Sequence, residues 1–196
     1  MTNIIPRGGL VKPARYHPAL VALHWFLAAF IPLALALGMF VLKTIPNDSP
    51  QKLEALRAHM IGGGVILTLM LVRLTLRLAS ARPVAATTGS PLLDRIARIS
   101  HVAFYGLVFV MVGTGLATAV LADLPAIVFG GSGAALPTSF GVFPTRVIHG
   151  VVAKVLVALI AVHILAALYH HFIRRDGLLR RMWFGRRWRS TERKYA

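Results

Sequence analysis

The sequence predicts an all-α integral membrane protein, a four-helix bundle with both termini in the cytoplasm. Three observations lead there. Hydrophobic residues make up 57% of the 196 positions and charged residues only 14%, whereas soluble domains carry about a quarter charged. Four apolar runs, at about 19–42, 56–78, 99–121 and 147–173, are each long enough to cross a bilayer, which takes about 20 helical residues. The connections between the runs are polar or rich in helix breakers.

In hydrocarbon every backbone N–H and C=O needs a partner inside the chain. Continuous apolar runs, rather than alternating ones, select helices over barrel strands. The first run is too long for a signal-peptide core and no small-residue cleavage site follows it, so it reads as a retained span. Pro46 and Pro50 interrupt the chain after the first run, and Pro83, Gly89 and Pro91 after the second. Pro125, Gly130, Gly131, Gly133, Pro137 and Pro144 follow the third. That last connection also carries Ile127, Val128 and Phe129, which suits a segment lying on the membrane surface. With no internal repeat, residues 1–196 read as one transmembrane domain, ending in a basic cytoplasmic tail over 174–196.

The net charge is +16, and its placement gives the orientation. Three basic residues precede the first span, five (Arg73, Arg77, Arg82, Arg95, Arg98) lie at the end of the second and in the connection after it, and nine lie in the tail from 174 onward. The opposite side carries only Lys43, Lys52, Arg57 and Arg146, with Lys154 inside the fourth span. The side rich in Lys and Arg is the cytoplasmic one. The charge is therefore a topology signal that contacts anionic lipid, and no nucleic-acid partner is expected. The absence of cysteine excludes disulfides, thiolate catalysis and thiolate-bound metal centres.

Eight histidines stand in this apolar chain, and an ionisable side chain inside a span is a functional candidate by default. His149 and His163 are 14 residues apart. That interval is close to four helical turns, so both rings leave one face about 21 Å apart along the axis. The other helices repeat the interval: His24 with Gly38, His59 with Arg73, His101 with Gly115. The outer level then gathers His59, His149, Gly38 and Gly115. The inner level gathers His24, His163, His101 and Arg73. Imidazole is a common axial ligand of haem iron. Two haems, one between His59 and His149 and one between His24 and His163, account for four histidines at two matched depths. Gly38, Gly115 and the Gly62–Gly63–Gly64 run would let a flat porphyrin approach a backbone, and Arg73 or Arg77 could pair with propionates. His101 has three open roles: hydrogen bonding a propionate, hydrogen bonding a substrate, or replacing His24 as a ligand. His17, ahead of Pro18, reads as an interfacial side chain.

These residues resemble the bacterial cytochrome b561 family, di-haem membrane cytochromes that include superoxide oxidase. The resemblance rests on Leu23-His24-Trp25, His59 with Ile61-Gly62, Val72-Arg73-Leu74 with Arg77-Leu78, and His101 through Tyr105. It continues in His149, in His163 with Ala166-Ala167-Leu168, in His170-His171-Phe172 and in the tail Arg174 to Met182. It spans roughly Tyr16 to Met182 and implies the same pairing of ligands. Gly150 departs from the family pattern, which often has an acidic residue there, and Lys154 has no family role.

Two haems across the bilayer imply electron transfer. The expected acceptor is a quinone, because it dissolves in the same membrane. His170 and His171 are placed to serve it at the inner surface, with Trp25 and Arg15 as further candidates; interfacial anchoring is the competing role of the two histidines. The resemblance implies superoxide as an outer donor and ubiquinone as acceptor, an oxidoreductase activity in the bacterial inner membrane. Lys43, Lys52, Arg57, Arg146 and Lys154 could draw that anion in. The alternative is a membrane-anchor subunit that takes electrons from a dehydrogenase or hydrogenase partner. A proton-coupled transporter is disfavoured, because all six acidic residues lie in loops or at helix ends.

Overall fold

The computed structural model describes residues 13–186. The last ten positions of the expected basic tail, and Arg7 and Lys12 at the start, lie outside the described residues. The described chain is helical and contains no strand. Helix α1 is Pro18–Ala36, widening into a π turn at Leu37–Val41. Helices α2 and α3 are Pro50–Ala79 and Pro91–Leu121. A short α4, Leu124–Val128, precedes α5, Pro144–Leu168, which widens into a π turn at Tyr169–Arg174. Four of these stretches are long and apolar enough to span a membrane.

Each spanning helix begins on a proline, at Pro18, Pro50, Pro91 and Pro144. Proline suits the first helical position, where its missing N–H costs nothing and its φ is already helical. The apolar runs at 56–78 and 99–121 therefore sit inside longer helices. These start six and eight residues earlier, and the added turns carry Lys52 and Glu54 in α2 and Asp94, Arg95 and Arg98 in α3. His17 is the N-cap of α1, its Nδ1 accepting from the Ala19 N–H at 3.2 Å.

Neighbouring helices pack in chain order, α1 on α2, α2 on α3 and α3 on α5, while α1 and α5 meet sparsely. Most outward side chains are apolar and uncovered, Leu33, Phe40, Val102 and Leu165 among them; they are the surface that lipid contacts. The core is thin. Leu27, Leu35, Ile66, Met70, Val108, Ala153 and Leu156 form one buried cluster, with Ile31 packed against it. Ile31, Ile66, Val108 and Leu156 each lie seven residues from both members of a 14-residue pair. The four helices thus close into an apolar layer halfway between the two histidine levels.

A second cluster caps one end: Leu124 and Val128 of α4 bury against Leu56, Ala119 and Ala122. Two basic side chains staple it. The Lys52 ammonium, 5% exposed, donates to the Leu42 and Ile45 carbonyls at the frayed end of α1. Arg57 donates to the Val128 carbonyl from Nε and Nη2, at 3.2 and 2.7 Å, and to Glu54. Both cations, which could draw in an anion, are engaged on backbone carbonyls.

The two termini of the described chain meet at the other end. Trp25 Nε1 donates to the Met182 carbonyl at 2.7 Å, and Arg15 donates to the carbonyls of Trp183 and Phe184. Arg181 and Arg174 donate to the Val84 and Thr88 carbonyls of the connection between α2 and α3. The segment after α5 thereby forms a strap across this end.

Leu156 is 1% exposed at the centre of the apolar layer. Leu156→Ala should cost about 2–5 kcal/mol, the range of buried Leu→Ala changes, and lower the thermal midpoint in detergent. Val151→Ala on the 56% exposed lipid face should leave it near wild type.

Candidate functional site

At the level near the α4 cap, His59 of α2 faces His149 of α5, with ring centroids 6.1 Å apart and planes crossed at 75°. The Met111 carbonyl lies 2.9 Å from His149 Nδ1, and Thr114 Oγ1 lies 3.3 Å away. A carbonyl can only accept, so Nδ1 carries the proton and Nε2 keeps its lone pair for a ligand. His59 Nδ1 is buried with no hydrogen-bond partner among the described residues.

Two glycines make room for these rings. A Cβ at Gly38 would lie 3.3 Å from His59 Cε1, and one at Gly115 would lie 3.1 Å from His149 Cε1. Each glycine thus stands against an imidazole, and a side chain there would press on the ring. Gly63, one turn from His59 on the same face, has nothing within 4 Å of its Cβ direction, and a flat group can approach α2 there.

At the terminal level, His24 of α1 faces His163 of α5 at 6.4 Å and 76°. His101 of α3 stands 6.0 Å from the same His163 ring, and Phe104 stands 5.3 Å from it. Both sequence-level partners of His163 are therefore within reach, but His24 is half-buried and His101 exposed. Arg73 donates to the Tyr105 hydroxyl and lies over its ring with Arg77, at 5.4 and 5.8 Å. Among the described residues neither guanidinium has a carboxylate partner.

Two imidazoles on opposite faces of one iron, each nitrogen about 2 Å from the metal, have ring centres about 6 Å apart. Both facing pairs have that spacing. Among the described residues no three or more His, Cys, Asp or Glu converge as they would on a bare ion. The donor set fits a planar metallocycle gripped from two sides.

His170 and His171 part company. His171 is exposed, its ring edge-on to Phe172 at 4.6 Å. His170, seven residues past His163, turns inward and its Nδ1 donates to the Asp176 carboxylate. Asp176 also accepts from the Leu178 N–H at 3.0 Å and lies between Arg175 and Gly177, both in the left-handed conformation. Sequence reasoning passed over Asp176 and Tyr105. The Asp176-Gly177 dipeptide was the available signal, a turn former whose carboxylate bonds nearby backbone.

A family model described as prokaryotic cytochrome b561 matches residues 15–185. The chain belongs to the prokaryotic cytochrome b561 family. The match begins at Arg15 and ends beside the strap that Arg15 holds. Cytochrome b561 homolog 2 of Escherichia coli (strain K12) is 28% identical over 177 residues, covering 87% of this chain and 92% of that protein. Membership makes this a multi-pass membrane protein of the electron-transfer class and implies haem b as its cofactor.

Burial alone would raise the Asp176 carboxyl. Its hydrogen bonds from His170 and Leu178, with the nearby His170 and Arg174, outweigh that and hold it below the ordinary carboxylate range. A lowered pKa means a contribution to stability that is present above about pH 4, the ordinary value for Asp. It is lost as pH falls through the lowered value. Measured against their intrinsic rates, amides of 178–184 should be protected from deuterium exchange at neutral pH and lose that protection as the pH falls below the ordinary carboxylate range. In Asp176→Asn the protection should already be lost at neutral pH.

Proposed function

We propose that this cytochrome carries two haem b groups, one between His59 and His149 and one between His24 and His163. It passes electrons across the bacterial inner membrane from superoxide outside to ubiquinone in the bilayer. The observation that carries this reading is the two facing imidazole pairs, 6.1 and 6.4 Å between centroids, on opposite sides of an apolar layer. His24 is preferred to His101 as a ligand because it is half-buried while His101 is exposed. Haem bound at these pairs supplies reversible one-electron chemistry between ferric and ferrous iron.

The chain's own residues do the rest. Met111 and Thr114 fix the His149 ring and its tautomer. Ile66, Val108 and Leu156 keep water out of the layer between the levels. Arg73 and Arg77, without carboxylate partners among the described residues, offer charge to haem propionates at the terminal level. In the overall reaction two superoxide anions each lose one electron and leave as dioxygen. One quinone gains two electrons and two protons to become quinol. His170, its Nδ1–H directed at Asp176, stands at the end where the quinol forms. The excess of basic residues at the terminal end makes that end cytoplasmic.

Wild-type protein should contain two haems per chain by pyridine haemochrome assay. His59→Ala and His163→Ala should each retain about one and lose it from different levels, seen as loss of different steps in a redox titration. One haem in the wild type would contradict the proposal. In stopped flow, superoxide should reduce the oxidised b-type bands and ubiquinone should reoxidise them. Haems that superoxide leaves oxidised would instead point to a redox-protein donor and an anchor-subunit role.

A further inference from the structure

Of the four basic residues at the α4-capped end, Lys52 is committed to the Leu42 and Ile45 carbonyls, and Arg57 to Val128 and Glu54. Lys43 is exposed on the connection after α1. Arg146 is different. It is half-buried in the first turn of α5, and among the described residues no carbonyl or carboxylate accepts from its guanidinium. A Cβ built at Gly150 would lie 3.1 Å from Arg146 Nη1. The side chain therefore runs along the helix over the bare backbone of residue 150, one turn deeper, instead of reaching out to solvent.

A guanidinium drawn into a partly desolvated position without an acceptor is costly unless an anion joins it. Its five donors suit an oxygen anion. We infer that Arg146, laid over Gly150, is the anion-binding residue of the His59–His149 level. The inference rests on the haem reading above and names the group that completes that level. The chemistry, an anionic oxygen beside the imidazole pair, has two sources: a propionate of the haem held there, or superoxide arriving from outside. Gly150 is part of the device. A side chain there would displace the guanidinium, and an acidic one, four residues on, would pair with it and cancel its charge.

The test compares wild type, Arg146→Gln, Arg146→Lys and Gly150→Glu as full-length chains. Apo-protein is titrated with haem b and with its dimethyl ester, which lacks the propionate charges. The loaded proteins are mixed with superoxide at several ionic strengths. If the anion is a propionate, Arg146→Gln and Gly150→Glu weaken haem b binding on the order of tenfold but leave ester binding alone, and Arg146→Lys restores part of the loss. If it is superoxide, binding of both porphyrins is unchanged. The reduction rate then falls on the order of tenfold, with a flattened salt dependence. Arg146→Gln and Gly150→Glu proteins that match wild type in both measurements overturn the inference. A wild-type chain that binds one haem or none overturns the underlying reading instead. The titration reports that separately.

Discussion

Imidazoles in hydrocarbon are the constraint on which the rest of this structure depends. A polar ring away from water needs a hydrogen bond, a metal or a neighbour that makes up for lost hydration. His149 meets the need with the Met111 carbonyl, while His59 Nδ1 has no hydrogen-bond partner among the described residues. Making room for each ring costs a side chain on the opposite helix, at Gly38 and Gly115. The helices can come no closer at these levels, so the tight apolar packing that a bundle needs moves to the layer between them, where Ile66, Val108 and Leu156 are buried. Stability and ligand space alternate along the membrane normal.

The two ends solve different problems. At the capped end, cations serve backbone carbonyls. Lys52 and Arg57 satisfy acceptors that the end of α1 and the short α4 leave open, as cationic side chains do at helix C-termini. At the terminal end, aromatic and basic side chains tie the strap down. Trp25 touches His24 on one side, at 5.3 Å, and Trp183 on the other, at 5.5 Å. The strap is thereby packed against the same helix turn that presents the terminal-level histidine. Contacts made at the very end of the chain steady a residue near its beginning.

His170 and His171 stand together in the π turn that follows Leu168. One is directed at Asp176 and the other at the surface. π turns are found where a helix must re-aim side chains. A second one at Leu37–Val41 contains Gly38, the residue that faces His59.

The sequence by itself determined the four spans, the end at which the termini lie together, and the two levels at which histidines and glycines recur. Each of these is a matter of period and composition: a helix of fixed rise turns a 14-residue interval into a shared face at a fixed depth. Tertiary structure alone decided what each conspicuous residue does. Lys52 and Arg57 read as cations able to draw in an anion, and only the folded chain brings the Leu42, Ile45 and Val128 carbonyls to them. That Gly38 stands against the His59 ring and Gly115 against the His149 ring comes from the packing of neighbouring helices. Asp176 carried only a turn signal until the fold set its carboxylate against His170. Period along one helix says which way a side chain leaves its backbone. Its partner comes from another element, brought there by packing and by hydrogen bonds between residues distant in the chain.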